Sequence, residues 1–169
     1  MSVPNTIAAI ANRDGVDAQL MLADAVAEWQ AAGIAVAGIL AERNAEGQCS
    51  AGFLTDIASG KRYSIQLDMP PAGTVCHLDA EGMEAAGAGL LDQIAKADVV
   101  VLSKFGKLEA MHGGLWPAFT AAASSGKPVL TTVSSKHFDA WKAFSPSSLW
   151  LEADDRSIRQ WWKKASARA

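Results

Sequence analysis

Soft metal-binding and redox chemistry is scarce in this chain: two cysteines, Cys49 and Cys76, and three histidines among 169 residues. Such a count builds neither a disulfide framework nor a two-pair zinc motif, and both thiols read as reduced. Positive charge is not in excess, with 15 lysines and arginines against 18 acidic residues and a formal net charge of -3. A surface without a basic surplus argues against nonspecific nucleic-acid binding. No apolar run approaches membrane-spanning length, and no early segment combines a basic start, an apolar core and a cleavage site. The expectation is a cytoplasmic protein with no membrane partner. Repeats, low-complexity tracts and linkers are missing too. Half the residues are hydrophobic and a fifth are charged, which is ordinary globular usage and excludes disordered and fibrous classes. A single domain over residues 1–169 is the expected organisation.

What the chain does contain is a series of short apolar runs separated by amphipathic stretches, and the run from Asp98 to Glu109 is central to it. Val99-Val100-Val101-Leu102 is β-branched and unbroken, as suits a strand covered on both faces in a parallel sheet. Ligands collect at the C-terminal ends of such strands. There the sequence presents Ser103, Lys104, Lys107 and Glu109 around Gly106. A solvated turn would present similar residues.

Further strands are expected from Thr6 to Ala11, Ile34 to Leu40, Val129 to Val133 and Ser147 to Leu151. Asn12-Arg13-Asp14-Gly15 is a turn signal, and Asp17 can cap a helix in which Leu22, Val26 and Trp29 recur before Ala31-Ala32-Gly33 closes it. Gly52 to Ile57 and Arg62 to Leu67, joined by Ala58-Ser59-Gly60-Lys61, predict an antiparallel hairpin insertion near residues 52–67. Asp79 would start a helix reaching Ala97, and Leu115 to Ser125, Lys136 to Phe144 and Asp154 to Ala165 predict three more. Strands alternating with helices give an α/β fold with a mainly parallel sheet flanked by helices.

From Ile7 to Val133 this order of elements resembles the small P-loop nucleoside triphosphatases of bacteria and archaea, related to the human cancer-related nucleoside triphosphatase. The likeness is carried by Gly33-Ile34-Ala35-Val36-Ala37-Gly38-Ile39 leading to Gly52-Phe53 and Ser59-Gly60-Lys61-Arg62, by Ala97-Asp98 through Gly106-Lys107-Leu108-Glu109, and by Ser125-Gly126-Lys127-Pro128-Val129. Nearly the whole chain also resembles a proteobacterial domain family of unknown function. Phe105 to Ala110, Cys76-His77-Leu78-Asp79 and Ala140 to Phe144 carry that match. The resemblance implies a P-loop-like fold and a setting beside molybdate transport or molybdenum enzyme genes.

The chain departs from the active enzymes at the positions that do chemistry. A phosphate loop needs two glycines flanking four residues, then Lys for the β and γ phosphates, then Ser or Thr for Mg²⁺. With Gly15 as the second glycine, Val16 falls at the lysine and Asp17 at the magnesium hydroxyl. Shifting by one residue puts Asp17 at the lysine, a like-charge contact costing several kcal/mol at about 4 Å and intermediate dielectric. The acidic pair that ends the central strand in the related enzymes is replaced by Ser103 and Lys104, and only Glu109 keeps an acidic position. Lys104 with Lys107 or Arg13 could instead hold an oxyanion without metal, helped by amides at the start of the Asp17 helix.

The expected ligand set is therefore Arg13, Gly15, Asp17, Ser103, Lys104, Gly106, Lys107, Glu109 and His112, the last within a glycine-rich loop near the strand end. The expected ligand is a small anion, with nucleotide or molybdate as the candidates and Mg²⁺ not required. Cys76 and His77 are weak metal candidates, because adjacent residues on a strand point to opposite sides. Five of the six tryptophans lie from Trp116 onward. Trp161 and Trp162 diverge by roughly 100 degrees on a helix, so a homodimer through the tryptophan-rich C-terminal region is a further expectation. Three functions stay open: a non-hydrolytic binding module in molybdenum handling, a divergent nucleoside triphosphatase using Lys104, Lys107 and Glu109, and a ligand-free scaffold with Val16 and Phe105 filling the old site.

Overall fold

The computed structural model describes residues 6–12, 18–41, 53–64, 90–113 and 115–166. Its strands are β1 (Ile7–Asn12), β2 (Val36–Ala41), β3 (Phe53–Asp56), β4 (Arg62–Ser64), β5 (Val99–Phe105), β6 (Val129–Ser134) and β7 (Leu149–Leu151). Its helices are α1 (Ala18–Ala31), α2 (described over 90–94), α3 (Lys107–Ala110), α4 (Trp116–Ser124), α5 (Phe138–Phe144) and α6 (Asp155–Ser166). A 3-10 turn, Ser135–His137, leads into α5.

All the strands join one seven-stranded sheet in the order β4-β3-β2-β5-β6-β1-β7. β2, β5, β6, β1 and β7 run parallel, and the β3–β4 hairpin adds antiparallel strands along the β2 edge. The hairpin is thus the sheet's own continuation, so Leu54 is buried in the main core.

Side chains alternate across a strand, and the core divides accordingly. Val100 and Leu102 of β5 pack with Leu90, Ile94, Phe119 and Trp141 on one face. Val99 and Val101 pack with Leu22, Val26, Trp29, Ile158 and Trp161 on the other. Helices α2, α4 and α5 cover the first face, and α1 and α6 the second, which is why β5 reads as a continuous apolar run. Trp161 and Trp162 diverge on α6 and yet both reach Trp29, at 6.5 and 5.1 Å between ring centroids. Trp162 thereby joins the α1–α6 seam.

Glycine is required by the backbone at Gly33 and at Gly38. Gly33 has φ +83 at the end of α1, where Ile34 N donates to Trp29 O and Gly33 N to Gln30 O. That pair of bonds is the Schellman closure favouring glycine. Gly38 in β2 has φ +149, and a Cβ there would fall 1.8 Å from the Val101 carbonyl oxygen. The obstacle is backbone of the central strand and cannot swing aside. Gly38→Ala should therefore lower stability by at least about 3 kcal/mol, the upper end of overpacking costs. In a domain of this size that is a drop of roughly 6–12 °C in Tm, measurable by thermal melting followed by circular dichroism.

Candidate functional site

Because β1, β5, β6 and β7 are parallel, their C-terminal ends open on one edge of the sheet. Register keeps them level: Asn12 lies opposite Ser134, and Phe105 opposite Val133. The pairing of β5 with β6 slips between Leu102, opposite Thr131, and Phe105, opposite Val133. Three steps on β5 match two on β6, so Ser103-Lys104 forms a bulge, a device that disrupts the ladder and is common next to functional sites.

A bulge strips a buried carbonyl of its strand partner, and that carbonyl needs another donor. Ser103 is buried, and its carbonyl accepts the Thr132 hydroxyl at 2.7 Å together with the Gln19 side-chain amide. The same Gln19 Nε2 donates to Thr132 Oγ1 at 3.0 Å. Gln19 sits in the first turn of α1, so one side chain ties the start of that helix to the ends of β5 and β6. Its Oε1 is buried with no hydrogen-bond partner among the described residues.

Just beyond the bulge, the expected open loop is closed by the single turn of α3. Glu109 is responsible. Its Oε1 accepts Gly106 N at 2.9 Å, the reciprocal half of a capping box, and its Oε2 accepts Leu115 N at 2.9 Å at the start of α4. Leu115 offers no capping side chain, so this carboxylate serves the beginnings of two helices. Glu109 is 2% exposed, so these bonds form away from water. Beside it His112 has φ +64, is exposed, and stacks on Trp116 at 4.1 Å between ring centroids and 16° between planes.

Of the expected ligand set, Ser103 lies on the β5 bulge against Gln19 and Thr132, Gly106 and Glu109 are hydrogen-bonded to each other at α3, and His112 follows α3 and stacks on Trp116. Glu109, expected to face a ligand, has both oxygens bonded to backbone amides. Arg13, Gly15 and Asp17 lie outside the described residues, as do Cys76 and His77. Lys104 lies on β5 and Lys107 opens α3, but their side chains are outside the description. Phe105, which fills the old site in the ligand-free scaffold alternative, is 1% exposed and turns into an aromatic core with Phe119, Trp141 and Phe144. Gln19 and Thr132 were missed. The signal for Gln19 lies in the helical spacing, since it precedes Leu22, Val26 and Trp29 on one stripe as its only polar member.

Among the described residues no cluster of three or more His, Cys, Asp or Glu could hold a metal ion. No described helix is long and apolar enough to cross a membrane.

Removing the Glu109 carboxylate would leave two buried amides without acceptors. Hydrogen bonds to charged groups contribute about 1.5–3 kcal/mol each, so Glu109→Ala should destabilise the protein by about 3 kcal/mol or more. Chemical denaturation checks it, and a loss under about 1 kcal/mol would remove Glu109 from this structural role.

Comparison with known proteins agrees with this geometry. Two solved structures share the fold: a human cancer-related nucleoside triphosphatase, with a TM-score of 0.60 at 14% identity over 96% of each chain, and THEP1 from Aquifex aeolicus, with a TM-score of 0.65 at 12% identity over 94% of this chain and 95% of that one. The sheet and its helices are therefore a P-loop-NTPase-like fold of the THEP1 kind. In sequence the chain is 33% identical to molybdenum import ATP-binding protein ModC 2 of Bradyrhizobium diazoefficiens, over 98% of this chain and 19% of that protein. It is 32% identical over 108 residues to nucleoside-triphosphatase THEP1 of Thermofilum pendens, covering 60% of this chain and 58% of that protein. The chain thus spans about a fifth of the first relative and less than two thirds of the second. The model of the family described as protein of unknown function (DUF2478) matches residues 7–161, so the chain belongs to that family.

Proposed function

We propose that this member of the DUF2478 family is a non-hydrolytic module that binds a nucleotide or a molybdate-like oxyanion and serves molybdenum handling as an accessory. The observation that carries this reading is the end of β5. Where the resemblance to the triphosphatases calls for an acidic pair to hold Mg²⁺ and orient water, the chain has Ser103 on a bulge, buried, with its carbonyl held by Gln19 and Thr132. The nearest acid after it, Glu109, is bonded through both oxygens to Gly106 and Leu115 amides. The sequence after β1 supports the same reading, since neither Val16 nor Asp17 can supply the lysine charge that a phosphate loop uses.

Binding in place of catalysis leaves the anion to cations and amides. Arg13, Lys104 and Lys107 are the cations of the reading, and the start of α1 contributes helix amides to the same edge. The fold likeness and the similarity to a nucleoside-triphosphatase support a nucleotide as ligand. The similarity to a segment of a molybdenum import ATP-binding protein supports the molybdenum setting. Phe105 turning into the aromatic core counts against a scaffold whose cleft is plugged by its own side chains.

Calorimetric titration of the full chain at fixed ionic strength, first without Mg²⁺ and then with it, against ATP, GTP and molybdate tests this. Saturable binding of at least one ligand with the same Kd in both conditions is expected, weakened by Lys104→Ala. Binding that requires Mg²⁺ would overturn the metal-free site and favour a divergent triphosphatase.

A further inference from the structure

A cleft on the same edge of the sheet lies outside the expected ligand set. It has a volume of about 460 Å³ and is lined by Ala11 at the end of β1, Phe138 and Lys142 of α5, Trp150 and Leu151 of β7, and Glu152 beyond them. Ala11 places it at the C-terminal end of β1. Trp150 pairs in register with Ala9 and so stands on the α5 side of the sheet, where its ring meets Phe138 at 4.7 Å between centroids. Even so, Trp150 remains 39% exposed.

The cleft carries three charged side chains, Lys142, Glu152 and Asp154. Among the described residues neither Lys142 nor Glu152 takes part in an ion pair. Asp154, also on the rim, is engaged elsewhere: its Oδ1 accepts Ser157 N at 2.7 Å and starts α6. That bond holds its carboxyl below the usual carboxylate range. The cleft therefore combines an aromatic face with one available acceptor and one available donor, which is the chemistry that recognises a planar heterocycle by stacking and by its edge.

We infer that the Trp150–Phe138 cleft is the base subsite for a purine nucleotide, with Trp150 as the stacking platform and Glu152 and Lys142 reading the edge of the ring. A guanine edge fits this pair: adjacent N–H groups suit the two carboxylate oxygens of Glu152, and the neighbouring carbonyl suits the Lys142 ammonium. The inference rests on the nucleotide reading of the proposed function and adds the base to it.

The test compares the wild-type chain with Trp150→Ala and Trp150→Phe, titrated with GTP, ATP and inorganic triphosphate, together with saturation-transfer NMR on guanosine. Truncating a stacking aromatic side chain to alanine typically weakens binding by about five- to a hundredfold. The expected result is GTP binding weakened about tenfold in Trp150→Ala, largely retained in Trp150→Phe, with triphosphate affinity unchanged in both. Unchanged triphosphate binding also shows that the variants are folded. Equal GTP affinity in wild type and Trp150→Ala would overturn the subsite while leaving nucleotide binding intact. ATP binding as tightly as GTP would overturn the guanine edge. If the wild type bound neither GTP nor triphosphate, the nucleotide reading would fall. A guanosine signal lost in Trp150→Ala would then keep the cleft as a heterocycle site, and no guanosine signal would remove it.

Discussion

A buried backbone carbonyl has to be matched by a donor, and in this protein the demand is sharpest at Ser103. The bulge at Ser103-Lys104 breaks the β5–β6 ladder in the middle of the sheet, with the core closed on both faces. Gln19 and Thr132 fill the gap, so helix α1, strand β5 and strand β6 meet at one oxygen atom. The position of α1 relative to the strand ends follows from that meeting, and with it the shape of the edge where a ligand would sit. Hydrogen bonds to an otherwise orphaned group matter more than their average net contribution suggests, because losing them exposes the full desolvation cost.

The same economy of polar groups governs the next few residues. A carboxylate beside a ligand site can hold a metal, take a proton or organise backbone, and Glu109 does the third. Its two oxygens accept the Gly106 amide ahead of α3 and the Leu115 amide ahead of α4, on either side of the turn that carries His112 onto the Trp116 ring. In a fold shared with triphosphatases, this one carboxylate is turned toward its own backbone. Fold likeness by itself does not carry activity, and the side chains at the strand ends decide it.

Much of the architecture was legible because it rests on strong local signals. The unbroken Val99-Leu102 run marked the strand buried on both faces, the Leu22, Val26 and Trp29 spacing marked α1, and Gly33 marked its end. The hairpin was readable as antiparallel from its turn, but its place at the β2 edge depends on pairing across the sheet. The bulge was not readable, since β5 and β6 each look regular and only their mutual register shows the extra residue. Glu109 was read as a ligand-facing acid because its partners are backbone amides, which the sequence does not distinguish from any others. The Trp150 cleft was hidden for a similar reason: β7 and Ala11 of β1 come side by side only once the sheet is assembled. Among the C-terminal tryptophans, composition alone could not separate Trp141 and Trp161, both buried, from Trp150 at the rim.

The central claim is that this edge of the sheet binds without turning over. Its most direct test is steady-state release of inorganic phosphate from GTP and ATP by the full chain with Mg²⁺ in excess, followed over hours at high protein concentration. The account predicts release indistinguishable from a blank without protein, at nucleotide concentrations that saturate binding. Phosphate release that scales with protein concentration and disappears in Lys104→Ala would contradict it and restore the chain to the triphosphatases whose fold it shares.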